Sequence, residues 1–144
     1  MQEDSKQVVL GSWEVANSHD ASGFDAYYAE DVVYHGTDGE IRGREKVKAY
    51  LQTFMTALPD LKLTVEDIFG EGDRVFSRAR LEGTNTGEFN GMPPTGKRLD
   101  IRWIMNACRV QDGRIVEEWE ICDNLEIVRQ LGLMETQPLS AGKV

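Results

Sequence analysis

A chain of 144 residues, 40% hydrophobic and 28% charged, has the size and composition of one globular domain. Folding at that size hides about 68–70% of the unfolded surface, enough for a core and an enclosed pocket. A formal net charge of −9 argues against nucleic-acid or anionic-membrane partners, which are held by clustered Lys and Arg, and no apolar run approaches the roughly 20 residues of a membrane span.

The acidic, polar start MQEDSKQVVL lacks the basic and apolar regions of a secretory signal, so a cytoplasmic protein is expected. From Lys6 onward Val9, Trp13 and Ala16 recur at helical spacing. The stretch SGFD, with Phe24, Tyr27 and Tyr28, reads as a capped short helix, and DVVYHG as a short strand. Val47, Leu51, Phe54 and Leu58 form one face of a third helix that Pro59 ends. Sheet follows: Leu61, Leu63 and Val65, then Val75, Ser77, Ala79 and Leu81, alternate with mostly polar residues. GEGD turns between these strands, and the long connection GTNTGEFNGMPPTGKR has the composition of a functional rim or lid. A final helix, NLEIVRQLG, ends the fold, leaving 134–144 as a loose tail of a single domain spanning 1–144. The order implies an α+β cone, helices on one side of a strongly curved antiparallel sheet, with a pocket between.

Strand parity then suggests what faces that pocket. Gln111–Gly113 is expected as a three-residue hairpin loop with Gly113 left-handed, pairing Trp103 with Ile121, Met105 with Trp119 and Ile101 with Asp123. Leu99, Ile101, Trp103, Met105 and Ala107 would match Ile115, Trp119 and Ile121 as an apolar inner face, with Glu118 and Glu120 turned to water. Arg109, Glu117 and Asp123 become its polar exceptions. Asp123 reads either as the N-cap of the last helix or as a desolvated base; Arg109 and Glu117 either as a cross-strand pair or as pocket groups. Phe76 and Cys108 are expected on the outer face, available to an interface.

Other chemistries find little support. GMPPTGKR lacks the Ser or Thr that ends a phosphate loop and precedes a strand rather than a helix. His19 and His35 are the only histidines, so no metal site is expected, and Cys108 and Cys122 form no CxxC pair and are expected reduced. No Gly-x-Ser-x-Gly elbow is present. His35, at a strand end, is either a surface residue or a donor to a substrate carbonyl at the pocket mouth.

PPTGKRLDIRWI, RVQDGRIVEEWEICD and VRQLG, in that order, resemble the SnoaL-like polyketide cyclases of the NTF2-like superfamily, over roughly residues 5 to 133. The resemblance implies an NTF2-like cone around an apolar pocket, assembled as a homodimer or homotetramer. It also implies a hydrophobic ketide-type substrate and cofactor-free acid/base chemistry, an intramolecular aldol closure, with Asp123 in the place of the family's general base. Arg109 stands where the family's presumed acid histidine is expected; a guanidinium holds its proton but can stabilise an oxyanion. The expected site is therefore Asp123, Arg109 and His35 for chemistry, and Trp103, Met105, Trp119, Ile121, Phe54 and Tyr50 for substrate. Alternatives are a cofactor-independent hydroxylase or isomerase on the same pocket, or a non-catalytic small-molecule-binding module.

Overall fold

The computed structural model describes residues 2–133; the tail expected at 134–144 lies outside the described residues. Helix α1 (Gln2–Ser18) buries Val9 and Trp13 against a sheet. Its C-terminal end is clamped to an edge strand through Asn17, whose Nδ2 donates to Leu63 O at 2.9 Å while its Oδ1 accepts the Leu63 N–H at 2.7 Å. SGFD lies in a short 3-10 helix, Ala21–Ala26, capped by Asp20, with Phe24 buried. There follow β1 (Tyr28–Gly36), β2 (Gly39–Arg42), α2 (Arg44–Ala57), β3 (Lys62–Glu71), β4 (Arg74–Thr84), β5 (Arg98–Gln111), β6 (Arg114–Cys122) and α3 (Asn124–Gln130). The six strands form one sheet in the order β2-β1-β6-β5-β4-β3. Every pairing is antiparallel except β1 with β6. This is the α+β layout expected. No helix among the described residues is long and apolar enough to cross a membrane.

Along β4 the expected alternation holds: Val75, Ser77, Ala79 and Leu81 are all buried on the inner face. The β5–β6 hairpin departs from expectation in two ways. Its loop is two residues, Asp112 and Gly113, with φ of 52° and 73°; Gln111 pairs with Arg114. Both central residues are left-handed, the geometry of a type I′ turn whose twist matches the strands.

The second departure is a pair of bulges. Ala79 pairs with Ile104 but Leu81 pairs with Ile101, so β5 carries an extra residue around Arg102 and Trp103. Val110 pairs with Ile115 but Arg109 pairs with Glu117, so β6 carries one at Val116. One extra residue moves every following side chain to the opposite face. Leu99 and Ile101 point inward as expected, but from there Ile104, Asn106 and Cys108 are the buried set. On β6, Ile115 is followed inward by Glu118, Glu120 and Cys122. Trp103, Met105 and Ile121 are 59%, 40% and 71% exposed on the outer face, where Trp119 joins them, so the apolar inner set expected from parity is corrected. Cys108, expected outside, is buried within.

The long connection after β4 is held by Asn85, which is buried. Its Nδ2 donates to Ala57 O at 3.1 Å and Gly87 O at 2.9 Å, and its Oδ1 accepts from Thr95 N at 3.0 Å and Thr95 Oγ1 at 2.9 Å. A Cβ on Gly87 would lie 1.8 Å from Thr56 O, so only glycine allows this loop to approach the end of α2. Phe89 from the loop packs edge-on against Phe54 of α2, ring centres 5.5 Å apart.

Candidate active site

Between α1, α2 and the inner sheet face lies a cavity of about 840 Å³, counting its open mouth. Its walls are mostly apolar and aromatic, from Trp13 on α1, Phe24 before β1, Tyr34 on β1, and Tyr50 and Phe54 on α2. Tyr34 and Tyr50 lie 5.5 Å apart between ring centres, and Tyr50 and Phe54 5.4 Å, so the aromatic wall runs from the sheet to the long loop.

The bulge at Val116 projects two carboxyl groups, Glu118 and Glu120, into this apolar space. Glu118 is 3% exposed. Tyr28 Oη donates to its Oε1 at 2.6 Å and Asn106 Nδ2 donates to its Oε2 at 3.0 Å. The chain behind Asn106 fixes that direction. Trp13 Nε1 can only donate, and does so to Ser77 Oγ at 3.0 Å; Ser77 in turn donates to Asn106 Oδ1, leaving the amide NH₂ to face Glu118. Glu120, half-buried, accepts from the hydroxyl of Tyr34.

Burial pushes the Glu118 carboxyl up to about 8, with the neighbouring Glu120 charge adding to the rise and the bonds from Tyr28 and Asn106 opposing it. Burial raises Glu120 as well, against the bond from Tyr34. Two like charges two positions apart on one strand face resist joint ionisation, so the pair titrates as a unit and retains a proton near neutrality. Tyr28 and Tyr34 are driven well above the usual phenol range by burial and by these carboxyl groups, so both remain donors. Tyr50 is pushed up to about 12, again chiefly by burial and then by Glu120. The Cys122 thiol, on the same wall, is pushed up to about 12 and stays protonated, which removes it as a nucleophile.

Of the residues expected at the site, Tyr50 and Phe54 line the cavity. Trp103, Met105, Trp119 and Ile121 do not, because the bulges turn them outward. His35 and Arg109 come together, but on the outer face. His35 stacks on Trp119 with ring centres 5.1 Å apart and places Nε2 2.8 Å from Glu117 Oε2, while Arg109 Nη2 donates to Glu117 Oε1 at 3.2 Å. Asp123 is exposed and caps α3, its Oδ1 accepting the Glu126 N–H at 3.0 Å; its neighbours Cys122 and Asn124 line the cavity and it does not. Replacing Asp123 by Ala is therefore expected to cost about 1 kcal/mol of stability, read as a lower urea midpoint at unchanged slope.

Glu118 and Glu120 were hidden in the sequence by alternation itself. In EEWE the apolar residue marks the inner face unless a bulge intervenes, and Val116 carries no mark of one.

A family model for SnoaL-like polyketide cyclases matches residues 6–131. Among solved structures, AclR from Streptomyces galilaeus, a candidate hydroxylase, is 30% identical with a TM-score of 0.82, covering 96% of this chain and 87% of its own. IdmH from Streptomyces antibioticus, a candidate polyketide cyclase, is 36% identical with a TM-score of 0.76, covering 89% and 98%. A candidate SnoaL-like cyclase from Jannaschia sp. CCS1, at 21% identity and a TM-score of 0.83 over 93% and 95%, supports the fold alone. No curated protein matches the sequence. With a helix-backed curved sheet of the NTF2-like kind and a family match over nearly all the described residues, the chain belongs to the SnoaL-like polyketide cyclase family.

Proposed function

We propose that the cavity binds a hydrophobic, polyketide-type small molecule and that Glu120, in place of Asp123, is the general base of a cofactor-free acid/base reaction, an intramolecular aldol closure. The observation that carries this is a carboxyl pair of raised proton affinity inside an otherwise apolar, aromatic cavity. A carboxylate in water is too weak a base for a carbon acid; desolvation narrows that gap. Glu120 takes the proton from a carbon flanked by carbonyls, the enolate carbon attacks a second carbonyl of the same molecule, and the resulting alkoxide takes the proton back from Glu120. Glu118, protonated, adds no second negative charge beside the enolate, and the Tyr50 hydroxyl on the cavity wall is the donor available to the developing oxyanion.

The test is hydrogen–deuterium exchange at the acidic carbon of an aryl β-keto ester in D₂O, comparing the parent with Glu120→Gln and Asp123→Asn. Loss of exchange in the first alone supports the assignment; loss in the second alone returns the base to Asp123. Binding without exchange in the parent would favour a non-catalytic module. The 30% likeness to AclR keeps a hydroxylase in view, and oxygen uptake with substrate would identify it.

We further infer a homodimer, or a tetramer built from it, through the outer sheet face. Phe69, Trp103 and Ile121 are 59%, 59% and 71% exposed there, large apolar side chains gathered on one face as interfaces gather them. Arg74, Arg78 and Arg109 share the face with Asp67 and Glu117, charges of both signs that two antiparallel copies can pair. Ile121→Glu is expected to shift the mass by light scattering to that of the monomer.

A further inference from the structure

The cavity also selects by charge. Among the described residues lining it there are two carboxyl groups and a near-continuous aromatic wall, and no Lys, Arg or His. The arginines near its outside are engaged elsewhere: Arg109 with Glu117 on the outer face, and Arg44 with Tyr28 O and Asp25. Every group that faces the carboxyl pair is a neutral donor or another acid. Tyr28 and Asn106 donate to Glu118 and Tyr34 donates to Glu120, and Tyr50 and Cys122 line the same cavity.

Resting on the proposed use of this cavity for a small molecule, the geometry points to a ligand class: an aromatic or polycyclic compound bearing a protonated amine, the ammonium lying against Glu120 beside the packed rings of Tyr34 and Tyr50. A cation there meets a carboxylate and ring faces in a water-poor space, where both attractions are strengthened. It also supplies the countercharge the protein withholds, so the second carboxyl can ionise and its proton leaves to solvent. A carboxylate ligand at the same place meets only like charge.

Three probes with one ring system decide this: naphthylmethylamine, naphthylmethanol and naphthoate, titrated calorimetrically at pH 7 in phosphate and in Tris. The expected order is amine over alcohol by about tenfold and alcohol over acid by about tenfold or more, with close to one proton released per amine bound. Glu120→Gln is expected to erase the preference for the amine. Glu118→Gln is expected to keep it but release no proton, since Glu120 alone is then already ionised; this arm stands even if the Glu120 variant fails to fold. Amine and alcohol binding alike, or naphthoate binding as well as either, would overturn the inference. If that happens while Glu120→Gln still abolishes carbon-acid exchange, only the charge selection falls; if none of the probes binds, the small-molecule reading of the cavity falls with it.

Discussion

Replacing Glu120 by glutamine is expected to lower carbon-acid exchange by on the order of 10²–10⁴-fold, the usual contribution of a positioned base. The substitution keeps the volume and an acceptor oxygen for the Tyr34 hydroxyl, so the fold has no cause to move. Because a buried charge is removed, the variant is expected to melt no lower than the parent at pH 8. Asp123→Asn, by contrast, alters an exposed helix cap and is expected to leave exchange within about threefold, since asparagine caps nearly as well as aspartate. The contrast separates a base in the cavity from a base at its edge.

Glu118→Gln is expected to act on pH dependence more than on maximal rate. A carboxyl whose folded value is raised to about 8 from 4.5 favours the native state below 4.5, where it is protonated in both states, and that advantage is lost as pH climbs toward 8. The sign follows because the folded chain holds a proton that the unfolded chain has already released. The parent should therefore lose stability between about pH 5 and 8, by roughly 3 kcal/mol from this group. Glu118→Gln should flatten that slope. Glutamine offers one acceptor oxygen where the carboxyl offered two, so with Asn106 still donating to it the buried Tyr28 hydroxyl loses its acceptor; that penalty is the same at every pH, and the slope of stability against pH is the readout. Because Glu118 is protonated while Glu120 ionises, the neutral glutamine removes only the second ionisation of the pair, and the rising limb of exchange against pH should stay in place. Thermal melts and exchange rates from pH 5 to 9 check both statements.

Much of the architecture was legible because local signals and tertiary packing agree. Val47, Leu51, Phe54 and Leu58 share one face of α2, which ends before Pro59, and all four are buried or half-buried. Gly132, with φ of 71°, closes α3 as a left-handed glycine should. The inner face of β4 followed its alternation without a break. The site was less legible, and the reason is specific. Alternation gives the face of a strand only relative to a starting residue, and the extra residues near Trp103 and at Val116 each reset it. Trp103, Met105, Trp119 and Ile121 look like core because they are large and apolar; the bulges place them on a surface that we assign to a second copy. The same resetting brings Glu118 and Glu120, which look like a solvated edge, into the cavity. The expected pairing of Arg109 with Glu117 was realised on the outer face, where His35 joins it. The bulge at Val116 turns two carboxyl groups to the inner face, while Asp123, expected there, is exposed as the cap of α3.

We infer that Glu118 and Glu120 share a desolvated site and hold a proton near neutral pH. Carbon-13 NMR titration of their carboxyl carbons, assigned through Glu118→Gln and Glu120→Gln, tests it directly. One carboxyl of the pair titrating near 8, and moving acidward when its partner is replaced, is the expected result. Both titrating near 4.5, independently of each other, would mean that they face water and that the base lies elsewhere.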